Sequence, residues 1–218
     1  DPAGRQIKVT DANDKSTSFT YDDAGNQLTV TDARNNTTTS VYDAANRLVQ
    51  TIFADNTSRS TTYDDEGQRI GETDQAGKTT TFGYDSLGRL QTVTDALSQV
   101  TTYAYDEIGN RISVTDAAGK VTKFAYDKLG REIRRELPDG KFEDKVYNAG
   151  GELTSRTDFQ ARTTGYAYDR AGRLTSKTYP NSTTVGFTYT ASGRRSTAVD
   201  VRGTTTYSYD NRPADRHP

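Results

Sequence analysis

The chain has 218 residues, a formal net charge of −2 and no cysteine. Without cysteine there is no disulfide and no thiolate chemistry. Charges of both signs are interspersed, so we expect no nucleic-acid partner. Hydrophobic residues make up only 31% of the chain, too few for a thick two-layer core, and no stretch suggests a membrane span.

A tyrosine recurs every 21 residues along nearly the whole chain. These repeat tyrosines are Tyr21, Tyr42, Tyr63, Tyr84, Tyr105, Tyr126, Tyr147, Tyr168, Tyr189 and, one residue early, Tyr209. Four residues later stand the repeat glycines Gly25, Gly67, Gly88, Gly109, Gly130, Gly151, Gly172 and Gly193, with Asn46 at the remaining place. A fixed period in this range indicates a repeat architecture. We predict structural roles for these residues.

The period divides the chain into ten units. They are 1–21, 22–42, 43–63, 64–84, 85–105, 106–126, 127–147, 148–168, 169–189 and 190–209, and we expect 210–218 to be a tail or linker. The chain opens within a unit and without methionine. We therefore expect it to be a piece of a longer or processed chain.

Each unit carries two turn signals, as in Asp106-x-x-Gly109 and Asp116-x-x-Gly119. Asp side chains accept hydrogen bonds from backbone N–H groups just ahead, and Gly supplies the positive φ that closes a hairpin turn. Between the turns, residues alternate with period two, as Thr122, Phe124 and Tyr126 do. This alternation, with 36 threonines in the chain, favours strands. Each unit is therefore predicted to be strand–turn–strand–turn.

The predicted fold class is all-β: a continuous antiparallel meander of about twenty short strands. More than about ten strands seldom remain an open flat sheet. We therefore expect a curled or spiralled sheet, forming a shell, a tube or an open β-ribbon. Pro138 and Pro180 fall at second turns, where a residue that cannot donate to the sheet is tolerated.

An aromatic residue also stands two places before most repeat tyrosines. These are Phe19, Phe82, Tyr103, Phe124, Tyr166, Phe187 and Tyr207, and the exceptions are Ser40, Thr61 and Lys145. Residues two apart on a strand share a face, so the units are expected to stack two aromatic ladders. Cross-strand stabilisation is the favoured interpretation. A surface for sugars is the alternative, and nucleic acid is the least favoured, because stacking on single strands needs a basic groove.

No constellation of residues predicts catalysis, a cofactor or a metal site. The single histidine, His217, lies in the tail. The acidic runs Asp22-Asp23 and Asp64-Asp65-Glu66 have oxygen ligands for Ca²⁺, but they fall in turns where Asp already has a structural role. Asn35, Asn36, Asn56 and Asn181 match the glycosylation pattern, which matters only in a secreted eukaryotic protein.

The units resemble those of the Rhs/YD-repeat family. The motifs that carry the resemblance are YDSLGRLQTVTD (84–95), YDEIGNRISVTDAAGKVTKFAYD (105–127) and YDRAGRLTSKTYPNSTTVGFTY (168–189), together with Gly-Arg pairs such as Gly88-Arg89 and Gly172-Arg173. The resemblance covers about residues 1–209. It implies a β-sheet wound into a hollow shell, which encloses a toxin in bacterial members and belongs to an extracellular adhesion protein in the teneurins. It also implies a secreted, extracellular or cell-surface location. The aspartate-containing segment with which many bacterial members cleave themselves is not found in the sequence, and neither is a toxin domain.

The leading hypothesis is a non-enzymatic structural segment of a shell or wall. Its expected partners are other repeat segments of the parent chain or further copies of itself, and it would enclose a toxin or assemble into a tube or filament. The alternative is an extracellular adhesion or carbohydrate-binding module that uses the tyrosine ladder and recognises a surface glycan. An enzyme is the least favoured class.

Overall fold

The structure, a computed structural model, describes residues 1–210, and every regular element in that range is a β-strand. The prediction of an all-β antiparallel meander of about twenty short strands is confirmed. The strands are β1 Lys8–Thr10, β2 Ser16–Tyr21, β3 Gln27–Thr31, β4 Thr37–Tyr42, β5 Leu48–Ile52, β6 Ser58–Tyr63, β7 Arg69–Thr73, β8 Thr79–Tyr84, β9 Leu90–Thr94, β10 Val100–Tyr105, β11 Arg111–Thr115, β12 Val121–Tyr126, β13 Glu132–Glu136, β14 Phe142–Tyr147, β15 Leu153–Thr157, β16 Thr163–Tyr168, β17 Leu174–Thr178, β18 Thr184–Tyr189, β19 Arg195–Asp200 and β20 Gly203–Thr206. Apart from Asp210, the predicted tail lies outside the described residues, and so does His217.

The chain divides into two compact units. Unit 1 comprises residues 1–104 and 115–119, and within it each strand from β1 to β10 pairs antiparallel with the next. Unit 2 comprises residues 105–114 and 120 onward, and β12 to β20 pair in the same sequential way. Both units are therefore simple meanders whose neighbours in sequence are neighbours in space.

The turn after each repeat tyrosine has the same hydrogen bonds throughout. At Asp169, the backbone N–H of Gly172 donates to the Asp169 carbonyl (3.0 Å), and Asp169 N–H donates to the Arg173 carbonyl (3.0 Å). Gly172 has φ 73°, the left-handed region. Asn46, which replaces the glycine in one unit, also has a left-handed φ of 60°, a conformation that Asn tolerates.

The second turn of each unit uses the same geometry with a wider choice of residues. Left-handed φ values occur at Asp14, Asn35, Asn56, Ser98, Ala161 and Ser182 as well as at glycines. Pro138 and Pro180 lie in these second turns, as predicted. In the Pro138 turn, Gly140 N–H donates to the Leu137 carbonyl at 2.9 Å.

A β-bulge, which the sequence analysis did not predict, precedes the repeat tyrosine. Thr188 pairs with Thr197 but Tyr189 pairs with Arg195, so Ser196 is the extra residue on the opposing strand. The same shift occurs before Tyr21, Tyr42, Tyr63, Tyr84, Tyr126, Tyr147 and Tyr168. A bulge sets two residues against one and increases the local twist. It explains why the repeat has an odd length of 21.

The two faces of each meander differ. One face carries the repeat tyrosines and the residues two before them, and we call it the aromatic face; on β18 its Phe187 and Tyr189 are half-buried whereas Thr188 is exposed. The opposite face is rich in threonine and includes cross-strand hydroxyl pairs such as Thr188–Thr197 (2.7 Å) and Thr73–Thr79 (2.8 Å). No hydrophobic side chain is buried anywhere in the described range. Within residues 1–210 neither meander therefore has a buried hydrophobic core of its own.

Candidate functional site: the aromatic face and its contacts between repeats

The repeat aspartate organises its own turn. Asp169 Oδ1 accepts hydrogen bonds from the backbone N–H groups of Ala171 (2.9 Å) and Arg173 (3.1 Å). Its Oδ2 accepts one from Arg173 Nε at 2.7 Å. Hydrogen bonds from the Arg173 side chain and then from its backbone N–H lower the pKa of Asp169, so the carboxylate is ionised at neutral pH. The carboxylate thereby fixes the direction of the Arg173 side chain.

The arginine oriented in this way reaches the tyrosine that ends the same repeat unit. Arg173 lies over the ring of Tyr189, with its guanidinium carbon 4.8 Å from the ring centroid. Matching contacts join Arg5 to Tyr21, Arg47 to Tyr63, Arg131 to Tyr147 and Arg194 to Tyr209, at 4.5 to 5.2 Å. This is cation–π geometry. It couples the turn that opens a repeat unit to the tyrosine that ends that unit.

The tyrosine hydroxyl supplies a second contact between the start and the end of a repeat unit. Tyr189 Oη donates to the Leu174 carbonyl at 2.7 Å, 15 residues earlier in the chain. The same bond, between 2.7 and 3.5 Å long, is made by Tyr21, Tyr42, Tyr63, Tyr84, Tyr126, Tyr147, Tyr168 and Tyr209. The accepting carbonyl belongs to the first residue of the bulged strand, except that the acceptor for Tyr21 is Gln6, which precedes β1. The bulge and the acceptor of the tyrosine bond thus lie at the same end of the strand.

The residue that follows the repeat glycine alternates in type from unit to unit. The series is Arg5, Asn26, Arg47, Gln68, Arg89, Asn110, Arg131, Glu152, Arg173 and Arg194. Where it is Asn26, the side-chain amide donates to Asp22 Oδ2 (2.8 Å) in its own turn and to Asn46 Oδ1 (2.7 Å) in the next. Arginine and non-arginine residues therefore alternate at this position with a period of two repeat units, until Arg194 follows Arg173.

One part of the aromatic face in unit 2 is charged instead of aromatic. Lys145 occupies an aromatic position, and its Nζ contacts Glu132 Oε1 at 2.6 Å and Glu143 Oε1 at 3.6 Å. Glu143 is only 4% exposed, and it is paired with Arg156. Desolvation alone would raise the pKa of Glu143, but the hydrogen bond and charge of Arg156, with the charges of Lys145 and Arg135, lower it overall. Glu143 is thus a buried, ionised and paired carboxylate.

Arg135 lies directly opposite Glu143 on the neighbouring strand. Its Nε is buried and has no hydrogen-bond partner among residues 1–210, and its guanidinium carbon is 4.9 Å from the Phe159 ring centroid. The sequence analysis noted Lys145 only as an exception to the aromatic pattern and did not predict this cluster. The signal available was the loss of threonine from β14, whose sequence is FEDKVY.

The structure places the repeat residues at regular positions. The tyrosines lie at the last positions of their strands, except Tyr209 beyond β20, and the repeat glycines have φ values between 73° and 94°. The aromatic face brings the tyrosines and their preceding aromatics together within each unit. Their structural role remains a prediction, as do the ten-unit boundaries.

The other residues considered in the sequence have ordinary turn contacts. Asp22 Oδ1 accepts from Asn26 N–H (2.8 Å) and Asp64 Oδ1 accepts from Gln68 N–H (2.7 Å). Within residues 1–210 no group of three or more His, Cys, Asp or Glu side chains could hold a metal ion. Asn35 and Asn56 have left-handed φ values, and Asn181 Oδ1 accepts from Thr183 N–H at 3.1 Å. In the same part of the chain, no helix has the length and apolar composition to cross a membrane.

Solved structures with a similar fold belong to Tc toxins. The chain is similar to a component of the Photorhabdus luminescens Tc holotoxin pore, with a mutated TccC3, at a TM-score of 0.54 and 18% identity over 88% of this chain and 14% of that one. It is also similar to the crystal structures of TcdB2-TccC3-TEV (TM-score 0.55, 19% identity, 85% of this chain and 13% of that one) and TcdB2-TccC3 (0.54, 18%, 85% and 14%). At these identities the likeness shows the fold. The chain spans about one seventh of the length of these relatives.

No curated protein was found to match the chain. The family model described as "Teneurin YD-shell" matches residues 2–215, nearly the whole sequence. The expected resemblance is confirmed, and the chain belongs to the teneurin YD-shell family.

Proposed function

We propose that this chain is a non-enzymatic wall segment of a YD shell. The observation that carries the proposal is the bond from nine of the repeat-tyrosine hydroxyls to a carbonyl 14 or 15 residues earlier, as between Tyr189 and Leu174. These bonds join the start of each repeat unit to its end, in a sheet where no hydrophobic side chain within residues 1–210 is buried. A sheet that bonds its own strands yet has no core of its own needs another layer to cover its apolar face.

The covering layer is the rest of the parent wall, a further copy of the chain or an enclosed partner. The Tc toxin structures support the first and third of these by analogy of fold, and an enclosed toxin is the finer proposal. Location outside the cell is proposed on the same ground. In this function the repeat tyrosines and glycines hold the wall together and carry no chemistry.

Electron microscopy and light scattering of the isolated chain test the assembling form of the proposal. We expect association that grows across micromolar concentrations, because an uncovered apolar face promotes it. Acrylamide quenching of tyrosine fluorescence should then decrease as association proceeds. A chain that remains monomeric, with tyrosines equally quenched at every concentration, would rule out assembly through this face.

A second candidate is a carbohydrate-binding module. The observation in its favour is that some rings are accessible: Tyr179 is 36% and Tyr207 38% exposed. Against it, most repeat hydroxyls are already bonded and several rings already carry an arginine. Titration with neutral oligosaccharides while tyrosine fluorescence is recorded tests it, and a saturable change that is lost in Tyr207→Ala would support it.

A further inference from the structure

The aromatic face of unit 2 carries a row of cations at one repeat position. This position, nine residues after the repeat tyrosine, holds Arg135, Arg156 and Lys177 in three consecutive 21-residue repeats. Each pairs across the strands with the residue two before a repeat tyrosine: Phe124, Lys145 and Tyr166, respectively. We call Arg135, Arg156 and Lys177 the cation row. In unit 1 the same position holds Val30, Thr51, Glu72 and Val93, so the row is not a general feature of the repeat.

The carboxylates around the row balance only part of its charge. Glu143 is paired with Arg156, and Glu132 with Lys145. Within the described residues 1–210, Lys177 has aromatic contacts only, with Nζ 4.5 Å from the Tyr179 ring centroid and 5.9 Å from that of Tyr166. Arg195, nearby on β19, likewise lies over Phe187 at 4.5 Å. Counting Arg135, Lys145, Arg156, Lys177 and Arg195 against Glu132 and Glu143 leaves an excess of three positive charges on this strand face.

We propose that this face of unit 2 docks an extended, acidic polypeptide segment that runs across the strands. Successive members of the cation row are two strands apart, which corresponds to about 9.6 Å at ~4.8 Å per strand. An extended chain advances about 3.3 Å per residue. Acidic side chains at every third residue therefore match the row, while the aromatic rings between the cations contact the intervening residues.

The arrangement favours a polypeptide over a nucleic acid. Glu132 and Glu143 lie among the cations, and both carboxylates would repel a backbone that carries one phosphate per nucleotide. The rings that could stack with bases are already contacted by side chains, as Tyr166 and Tyr179 are by Lys177 and Phe187 is by Arg195. Stacking on single strands needs free rings beside a continuous basic groove.

This inference rests on the proposed function in one respect, because it names the kind of partner that covers the aromatic face. Its test uses the whole chain and a fluorescent peptide in which Glu recurs at every third position among Gly and Ser. A peptide with Lys in place of Glu, and one with the same glutamates in a single block, are the comparison probes. Binding is followed by fluorescence anisotropy at low and at physiological salt.

We expect the spaced acidic peptide to bind more tightly than both comparison peptides and to weaken as salt rises. Lys177→Glu and Arg195→Glu should each weaken it, roughly two- to five-fold or more, because each reverses a partly exposed charge that has no carboxylate partner. Arg156 is left intact, since its loss would leave buried Glu143 without its partner. The matched control is Arg170→Glu in an exposed turn, which should leave binding unchanged.

Equal weakening by Arg170→Glu would show a general charge effect and overturn the proposal. So would the absence of binding at low salt, or tighter binding of an oligothymidylate that depends on Lys177. Circular dichroism verifies that each variant is folded. Because peptide binding is measured separately from association of the chain, failure of this inference and failure of the wall function are distinguishable.

Discussion

Arg173 lies over the ring of Tyr189, at the other end of the same repeat unit, while its Nε is bonded to Asp169 in its own turn. Asp169 thus orients the Arg173 side chain toward a tyrosine 16 positions later in the chain. The Tyr189 hydroxyl bonds back to the carbonyl of Leu174, which directly follows Arg173. The turn that opens a repeat unit is therefore attached to the strand that ends it, through a side chain and through the backbone.

The first prediction concerns the hydroxyl bond. Tyr189→Phe removes the donor at 2.7 Å from Leu174 and keeps the ring, and we expect a loss of about 1 kcal/mol in the free energy of unfolding. Urea denaturation monitored by circular dichroism measures it. Tyr207→Phe is the control, because the described residues contain no partner for the Tyr207 hydroxyl. Equal losses in the two variants would contradict a role for the bond.

The second prediction concerns the cation–π contact. Arg173→Ala should destabilise the chain by roughly 0.5–1 kcal/mol through loss of the contact with Tyr189. Arg170→Ala, an exposed change in the same hairpin turn, should have little effect. If the contact does not contribute, both variants will have the same urea midpoint. Arg173→Lys should fall between, because lysine keeps the charge but lacks the Nε donor to Asp169.

The local parts of this arrangement could be predicted from the sequence. Asp169 and Gly172 predict the turn between them, because each residue type has a backbone preference that acts within four positions. The contact between Arg173 and Tyr189 could not be predicted, because it depends on how far the bulge at Arg195–Ser196 and the sheet twist displace one hairpin relative to the next. Period-two alternation describes the residues along one strand, and it does not reveal an extra residue on the partner strand.

The charged cluster was missed for another reason. From the sequence alone, Lys145 and Glu143 are expected to be ordinary surface residues, because a charge on an antiparallel strand usually faces solvent. Only the register that sets Glu143 opposite Arg135 and Lys145 opposite Arg156 shows that four charges meet on the aromatic face. The cation row likewise depends on this register, since its members are 21 residues apart in the chain.

The third prediction separates backbone strain from packing. Gly140 has φ 80° and Gly186 does not have a positive φ, and a Cβ at either would meet no atom within 4 Å. Gly140→Ala should therefore cost about 1–2 kcal/mol, because an L-residue is strained in the left-handed region. Gly186→Ala, in a strand, should be neutral or stabilising by up to ~1 kcal/mol. Thermal or urea unfolding of the two variants measures the contrast, and a loss at Gly186 as large as at Gly140 would contradict it.

The fourth prediction concerns acid stability. The side-chain hydrogen bond from Arg162, followed by backbone hydrogen bonds from Arg162 and Gln160, lowers the pKa of Asp158 to about 2. A depressed folded-state pKa contributes stability that is present above the unfolded value of 3.8 and is lost as pH falls toward 2. Asp158→Asn should therefore make the unfolding free energy less dependent on pH between about 4 and 2. Asp23→Asn, at an exposed turn residue without a hydrogen-bonding partner in residues 1–210, should leave that dependence unchanged; an equal change would contradict the assignment.

The fifth prediction concerns the buried carboxylate. Glu143→Gln removes one charge from the cluster and leaves Arg156 and Arg135 without their shared counter-ion. We expect a loss of about 1–2 kcal/mol, less than for a fully buried pair because the Arg156 side chain is 47% exposed and screened by solvent. The urea midpoint of unfolding measures the loss.

The matched change replaces the cluster with residues that other units have at the same positions: Glu143→Thr, Lys145→Phe and Arg156→Val together. Because a charged group buried with its partners can be exchanged for apolar residues at little or no cost, the triple variant should be as stable as the original or more so. A triple variant less stable than Glu143→Gln would mean that the cluster itself stabilises the sheet. The expected result would instead mean that the cluster is dispensable for folding, so that its charges are available to the docking role proposed for this face.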